Sequence, residues 1–258
     1  MLAVDGLECA YGRRPVLRGV DCRVAPGELV AVLGPNGAGK STLIKAIAHL
    51  MRPSAGRVRI DGHDVGAMGR RQRARRLAYV PQRSFPVPVR VRDAVLLGRT
   101  PYFQLGPSRR DVEIAEHILV ELGLGPLAER RTHQLSGGEL QLVVVARALA
   151  QQPRVLLLDE PINHLDVKNR LDVLAVVRSM TRRLAMRSLI VIHDLNTALQ
   201  FADGFLLLRD GRVVARGGPE AVSPQSLEQT FSVPASIHDV AGERCVIVRP
   251  PAAGEEKA

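Results

Sequence analysis

The stretch ELVAVLG, residues 28 to 34, is apolar at nearly every position and ends at a glycine. A strand buried on both faces reads this way, because neither side of it meets water. RVLLLDE (154–160) and RSLIVIHD (187–194) have the same character, and both end in polar residues. KSTLIKAIAHL, after the first run, switches to helical spacing, and long helical patterns lie between the strands. This alternation predicts an α/β fold with a parallel sheet, in which ligands sit at the carboxyl ends of the strands. The polar residues fall at those ends.

Two turns add antiparallel pieces. Asp61-Gly62 lies within VRIDGHDV, and Asp210-Gly211 separates two apolar runs in FLLLRDGRVVARG (205–217), a strong hairpin signal. From about 84 to 150 no strand pattern is visible. Ser108 and Asp111 are placed to cap a helix whose Ala115, Ile118, Leu119 and Leu122 recur at helical spacing. The helix after Ser136 is apolar nearly all round, hence buried, and Ser136 with Glu139 forms a Ser-x-x-Glu capping box. The middle therefore reads as a helical subdomain inserted into the core. The tail from about 223 is expected to end in a frayed PPAAGEEKA.

Composition narrows the class. A chain of 258 residues can bury one good core and is near the upper size of a single domain. Apolar runs such as 29–33 and 142–146 fall far short of the ~20 residues that cross a bilayer. The start, MLAVDGLECAYG, lacks the basic flank and apolar stretch of a signal peptide, so a soluble chain that stays where it is made is expected. Cys9, Cys22 and Cys245 are scattered thiols without metal-type spacing, and the histidines do not cluster. The net charge of +10 comes from arginine, since only four of 36 basic residues are Lys. The densest run, RRQRARR (70–76), suits nucleic acid or anionic lipid in principle. It contains no aromatic residue for stacking on single strands, so it reads as a solvated helix face, and no nucleic acid is expected.

GPNGAGKST, residues 34 to 42, fits the pattern G-x-x-x-x-G-K-[ST] in full and sits between a buried strand and a helix, its required context. Its glycines let backbone N–H groups wrap phosphates, Lys40 offsets β/γ charge, and Ser41 offers a hydroxyl to Mg²⁺. In VLLLDEP, Asp159 and Glu160 close a buried strand. Adjacent strand side chains point to opposite sides, which argues against a proton-sharing dyad. The division that follows is Asp159 to Mg²⁺ and Glu160 to a water in line with the γ-phosphate. Gln82, His193, Tyr11, Asp166 and the LSGGE turn are each weak alone: a surface amide, a structural histidine, a core aromatic, a helix cap and a capped helix.

Their order is the stronger signal. Tyr11, GPNGAGKST, YVPQ, LSGGELQ, VLLLDEP, NHLD and a strand-terminal His193 form one ordered set that resembles the ATP-binding subunit of ABC transporters, over residues 2 to about 225. The resemblance implies an α/β, P-loop core with a mixed sheet, an N-terminal antiparallel β subdomain and the helical insertion. The expected division is one domain over 1–258. Its α/β core is 1–84 and 150–225, the helical subdomain 85–149 and the C-terminal tail 226–258.

It also implies roles. Tyr11 stacks on adenine. Gly34, Pro35, Asn36, Gly37, Ala38, Gly39, Lys40, Ser41 and Thr42 hold the phosphates of ATP, with the Mg²⁺ held by Ser41, by Gln82 and, through water, by Asp159. Gln82 also senses the attacking water and links the site to the membrane subunit. Glu160 is the general base, and His193 contacts the γ-phosphate. Ser136, Gly137 and Gly138 clamp ATP bound by a second copy packed head to tail, and Asp166 communicates across that pair. Two departures from the family pattern are Ile162, where Thr or Ser is usual, and Leu142, where Arg is common.

LGRTPYFQLGPSRRD, NHLD and IHDLNTALQ look most like the importer subclass that handles iron–siderophore, haem, cobalamin or, in some members, molybdate. That subclass pairs two ATPases with two multi-span membrane subunits and an extracytoplasmic binding protein. The chain is then expected at the cytoplasmic face of the membrane, with the segment around 83–105 as the docking groove. The alternative is a soluble ABC ATPase of nucleic-acid maintenance. Such proteins carry a long coiled-coil or zinc insertion before LSGGE, and this chain has neither.

Overall fold

The computed structural model describes residues 1–82 and 88–249. The 83–87 part of the expected docking groove and the PPAAGEEKA ending lie outside the described residues.

The chain begins with strands β1 (Leu2–Tyr11), β2 (Arg14–Val24) and β3 (Leu29–Leu33), then helix α1 (Lys40–Ile47). Next come β4 (Ala55–Ile60), β5 (His63–Asp64), the short helix α2 (Arg70–Ala74) and β6 (Leu77–Val80). Helices α3 (Val91–Leu96), α4 (Arg109–Glu121) and α5 (Gly137–Ala150) follow with no named strand between them. Alternation resumes with β7 (Val155–Leu158), α6 (Val167–Arg183), β8 (Arg187–Val191), α7 (Leu195–Phe201), β9 (Gly204–Arg209) and β10 (Arg212–Gly217). Helix α8 (Pro224–Phe231) and strands β11 (Ala235–Val240) and β12 (Glu243–Val248) end the described chain.

The main sheet has the order β10-β9-β3-β8-β7-β6 and is mixed. Five of its strands run parallel, and β10 returns antiparallel through the Asp210-Gly211 turn. A second sheet, β2-β1-β4-β5, is antiparallel throughout. Both Asp-Gly turns have positive φ at both residues, as two-residue hairpins require.

The strands of the main sheet divide their side chains between two cores. Leu29, Ala31 and Leu33 face a core built with α3 to α7, whereas Val30 and Val32 face one built with α1 and the antiparallel sheet. On β7, Leu156 and Leu158 take the first side, Val155 and Leu157 the second. Each fully buried Leu or Val contributes about 1.5–3 kcal/mol, so the frame behind the strand ends is stiff. Of the two departures noted above, Ile162 is buried in the first core and Leu142 packs against it.

The arginine-rich run is largely exposed, as a solvated face should be, but several of its side chains are also engaged locally. Arg71 donates to the carbonyls of Pro101 and Phe103, Arg75 to that of Pro101, and Arg73 to those of His49 and Met68. Arg75 also lies over the Tyr102 ring. Arg71 and Arg75 tie this run to the segment before α4 because their planar forks match free carbonyls there, while Arg73 ties it back to the end of α1 and to Met68. A buried pair anchors the same segment: Arg99 Nε donates to Asp111 Oδ1 at 2.9 Å and Nη1 to the Ala150 carbonyl at 2.9 Å, with the Tyr102 ring over it.

The stretch after 226 differs from a plain tail. It completes α8 and forms the β11–β12 hairpin, and Asn196 on α7 clamps that hairpin from both sides of one residue. Its Nδ2 donates to the Val246 carbonyl, and its Oδ1 accepts from the Val246 N–H at 2.7 Å. Among the hairpin residues only Val246 is buried, so the sequence shows little apolar pattern there.

Candidate active site

The loop after β3 is shaped by glycines. At Gly34 φ is +151°, and a Cβ would lie 2.2 Å from the Leu208 carbonyl oxygen, so any side chain clashes with backbone. Gly39, at φ +102°, precedes α1, and no side chain caps that helix. The first N–H groups of α1 are left for an anion. Pro35 and Ala38 brace the loop from behind: the Ala38 N–H donates to the Pro35 carbonyl, and the Ala38 carbonyl accepts from Gly211 N. Lys40 Nζ donates to the carbonyls of Gly34 at 2.7 Å and Pro35 at 3.0 Å, so its ammonium is held inside the loop's curve. Burial pushes its pKa below the usual lysine value, while the Glu160 and Asp159 carboxylates oppose that shift.

A cavity of about 600 Å³ opens over this loop. Asn36, Gly37, Gly39, Lys40, Ser41 and Thr42 line it, Glu160 reaches it from β7, and Tyr11 stands at its edge, 56% exposed. Arg14, Pro15, Val16 and Arg18 also line it and are absent from the sequence reading, and Asp210, read there only as a turn residue, lines it too. Arg14 and Arg18 both lie on β2 in an arginine-rich chain, so nothing in their spacing distinguishes them.

Asp159 and Glu160, the two residues just past the end of β7, take different partners. Ser41 Oγ donates to Asp159 Oδ1 at 2.8 Å, and the Tyr79 hydroxyl donates to Oδ2 at 3.4 Å. Burial, with Asp159 alongside, pushes the Tyr79 hydroxyl up to about 12. Glu160, at φ +52°, leaves the strand line and gathers its own set. Gln82 Nε2 donates to its Oε2 at 2.6 Å, His193 Nε2 lies 2.6 Å from Oε1, and Asn163 Nδ2 donates to Oε2. Gln82 therefore bonds Glu160 rather than the Ser41–Asp159 pair. Asn163 is a contact the sequence reading did not assign. A hydroxyl and a carboxylate oxygen 2.8 Å apart beside a phosphate cradle are hard donors that fit Mg²⁺.

The remaining predicted residues form a second group. Ser136 caps α5: its Oγ accepts from Glu139 N, while Glu139 Oε2 accepts from Ser136 N and Oγ, both at 2.8 Å. These bonds to Ser136 hold the Glu139 carboxyl below its usual range. Asp166 caps α6 through Asn169 N and Nδ2, and a Cβ on Gly138 would meet the Asn169 side chain at 2.3 Å. None of Ser136, Gly137, Gly138 and Asp166 lines the phosphate cavity.

A mixed sheet beside an antiparallel one, with a phosphate loop at its strand ends and a capped LSGGE helix, defines an ABC-type ATP-binding cassette. The ABC transporter family model matches residues 17–163, and the chain belongs to this family. It is an ABC transporter ATP-binding subunit of the family whose characteristic activity is ATP hydrolysis. An ABC transporter ATP-binding protein of Methanocaldococcus jannaschii is 43% identical over 96% of this chain and 97% of its own. The hemin import ATP-binding protein HmuV of Bordetella pertussis is 38% identical, over 92% of this chain and 94% of its own. Among solved structures, an inward-facing metal-chelate type ABC transporter superposes with a TM-score of 0.82 at 28% identity, over 96% of both chains. A bacterial ABC transporter cassette solved as a dimer gives 0.74 at 27% identity, over 84% of this chain and 98% of that one.

Proposed function

We propose that the chain powers an importer of metal chelates, taking iron–siderophore, haem, cobalamin or similar cargo, molybdate included, through polytopic membrane subunits at the cytoplasmic face. The hemin import relatives and the metal-chelate neighbour support this reading. The observation that carries its ATPase part is the arrangement of Lys40, Ser41–Asp159 and Gln82–Glu160–His193 at one end of one sheet, with the Ser136 turn outside the same cavity. A head-to-tail pair of copies brings that turn over the other copy's γ-phosphate, forming two equivalent sites.

In this reading Tyr11 stacks on the base, and the 34–42 loop wraps the phosphates with its N–H groups. Ser41 and Asp159 would hold Mg²⁺, which would supply positive charge beside the phosphates. Gln82, bonded to Glu160, would help orient the attacking water and link the site to the membrane subunit. Glu160 accepts a proton from that water as it meets the γ-phosphate, and Asn163 and His193 fix the direction of its carboxylate. Phosphate loss removes the charge that closes the pair, so the two copies part. Asp166 carries this change across the pair, and an extracytoplasmic binding protein delivers the cargo.

Arg71, Arg73 and Arg75 spend donors on backbone carbonyls, which counts against the nucleic-acid alternative. Among the described residues no helix is long and apolar enough to cross a membrane, which is consistent with attachment through a separate permease. The test is a pull-down of tagged Glu160→Gln chain from detergent-solubilised host membranes with ATP and Mg²⁺. Retention of a polytopic protein is expected. Dimerisation with ATP but no membrane partner would overturn the importer reading.

A further inference from the structure

A second cavity, of about 820 Å³, opens at the opposite end of the main sheet. Arg187 begins β8, Arg154 stands just before β7 and Pro26 lies ahead of β3, so this cavity meets the amino ends of the strands. Its other wall is α4, through Ile114 and Ile118. We propose that it binds a small organic anion with an apolar body, such as a medium-chain carboxylate, separately from the nucleotide.

The body of the site is apolar: Ile114, Ile118, Leu149, Pro153 and Leu184 line it. Its volume is that of pockets that enclose small ligands, roughly 300–1,000 Å³. The head of the site is cationic. Arg187 is buried and donates through Nη2 to Asp61 at 2.7 Å, yet its Nε is buried with no partner among the described residues. A buried donor without a partner is costly, so the Arg187 head keeps uncompensated positive character at the cavity wall. Arg154, 3.9 Å from the same carboxylate, and Arg110, which has no polar partner among the described residues, line the same cavity.

The acids on the wall are already engaged. Glu113 accepts from Arg109 at 2.9 Å, and Glu121 is taken by Arg183, with His117 3.8 Å away. What the cavity presents beyond its own ion pairs is therefore positive charge over an apolar floor. That combination selects an anion with a hydrophobic portion over a cation or a plain inorganic ion. An occupant touches both α4, in the helical segment that carries the Ser136 turn, and the Leu184–Arg187 stretch of the sheet framework. It would tie these two parts without touching the phosphate loop.

The test is calorimetric titration of the full chain with octanoate and, as the neutral control, 1-octanol, alongside binding of a fluorescent ATP analogue. Octanoate is expected to bind, octanol to bind about tenfold more weakly, and Arg187→Gln to weaken octanoate about tenfold, as loss of a charge-assisted bond predicts. Ile114→Trp, which fills the cavity from a half-buried wall, covers the case in which Arg187→Gln fails to fold; it should abolish octanoate binding. The ATP analogue should bind all folded variants alike, so failure here is distinguishable from failure of the nucleotide reading. No octanoate binding, equal binding of octanol, or unchanged octanoate affinity in Ile114→Trp would overturn the proposal.

Discussion

Two helix beginnings in this molecule carry the phosphate chemistry suggested by the sequence, and they are built in opposite ways. Helix α1 starts from a left-handed glycine with no side-chain cap, and its lysine is folded back onto two loop carbonyls beneath a 600 Å³ cavity. Helix α5 starts from a Ser–Glu box that satisfies its own donors, and its exposed Ser136 and Gly137 line no cavity with the loop. The first is a complete anion site within one chain. The second has the residue types without the enclosure, and in the proposed head-to-tail pair the other copy completes it.

The contrast can be broken most severely at Glu160, which stands between the loop and the turn's expected target. Glu160→Gln should lower turnover by ~10²–10⁴ while leaving ATP affinity unchanged, because shape and most contacts survive. Steady-state hydrolysis beside equilibrium ATP binding checks it, and parental turnover would contradict the base assignment. The two glycines then sharpen the comparison. Gly34→Ala places a Cβ 2.2 Å from a carbonyl oxygen at φ +151°. It should cost roughly 3 kcal/mol or more of stability, visible as a lower denaturation midpoint. Gly137→Ala meets nothing closer than Leu165 at 3.8 Å, so stability should stay within about 0.5 kcal/mol of the parent. Its ATP hydrolysis should still fall, because the turn's surface changes where the partner's phosphate would sit. At the cavity edge, Tyr11→Ala should weaken ATP binding by about 1–3 kcal/mol, the usual worth of a base–aromatic stack, with little change in the maximal rate.

What the sequence disclosed follows from where local rules operate. The strand runs, both Asp-Gly hairpins, the Ser108–Asp111 and Ser136–Glu139 boxes and the loop glycines are set by neighbours a few residues away, and all are legible. Strand β1 is less so. Register shifts between Val4 and Leu7 and again near Cys9 break its alternation, so its partners β2 and β4 cannot be read from pattern alone. The hairpin after residue 234 is held by one amide on α7, fifty residues away in sequence, and the α2 arginines by carbonyls about thirty residues on. Within the site, the Ser41–Asp159 bond and the Gln82 bond to Glu160 span separations that only the folded sheet closes. Asn163 had a nearby signal, three residues after Glu160, but such spacing is common in turns and by itself names no partner.

The most direct test of the central claim mixes two disabled chains, Lys40→Ala with a broken loop and Ser136→Arg with a blocked turn. Each alone should hydrolyse ATP at background level. If the turn serves the other copy's nucleotide, a mixed pair contains one intact composite site. An equimolar mixture should then regain about a quarter of the parental rate, since about half the pairs are mixed and each has one good site of two. Activity no higher than the sum of the separate variants would contradict the account and return both halves of the site to a single chain.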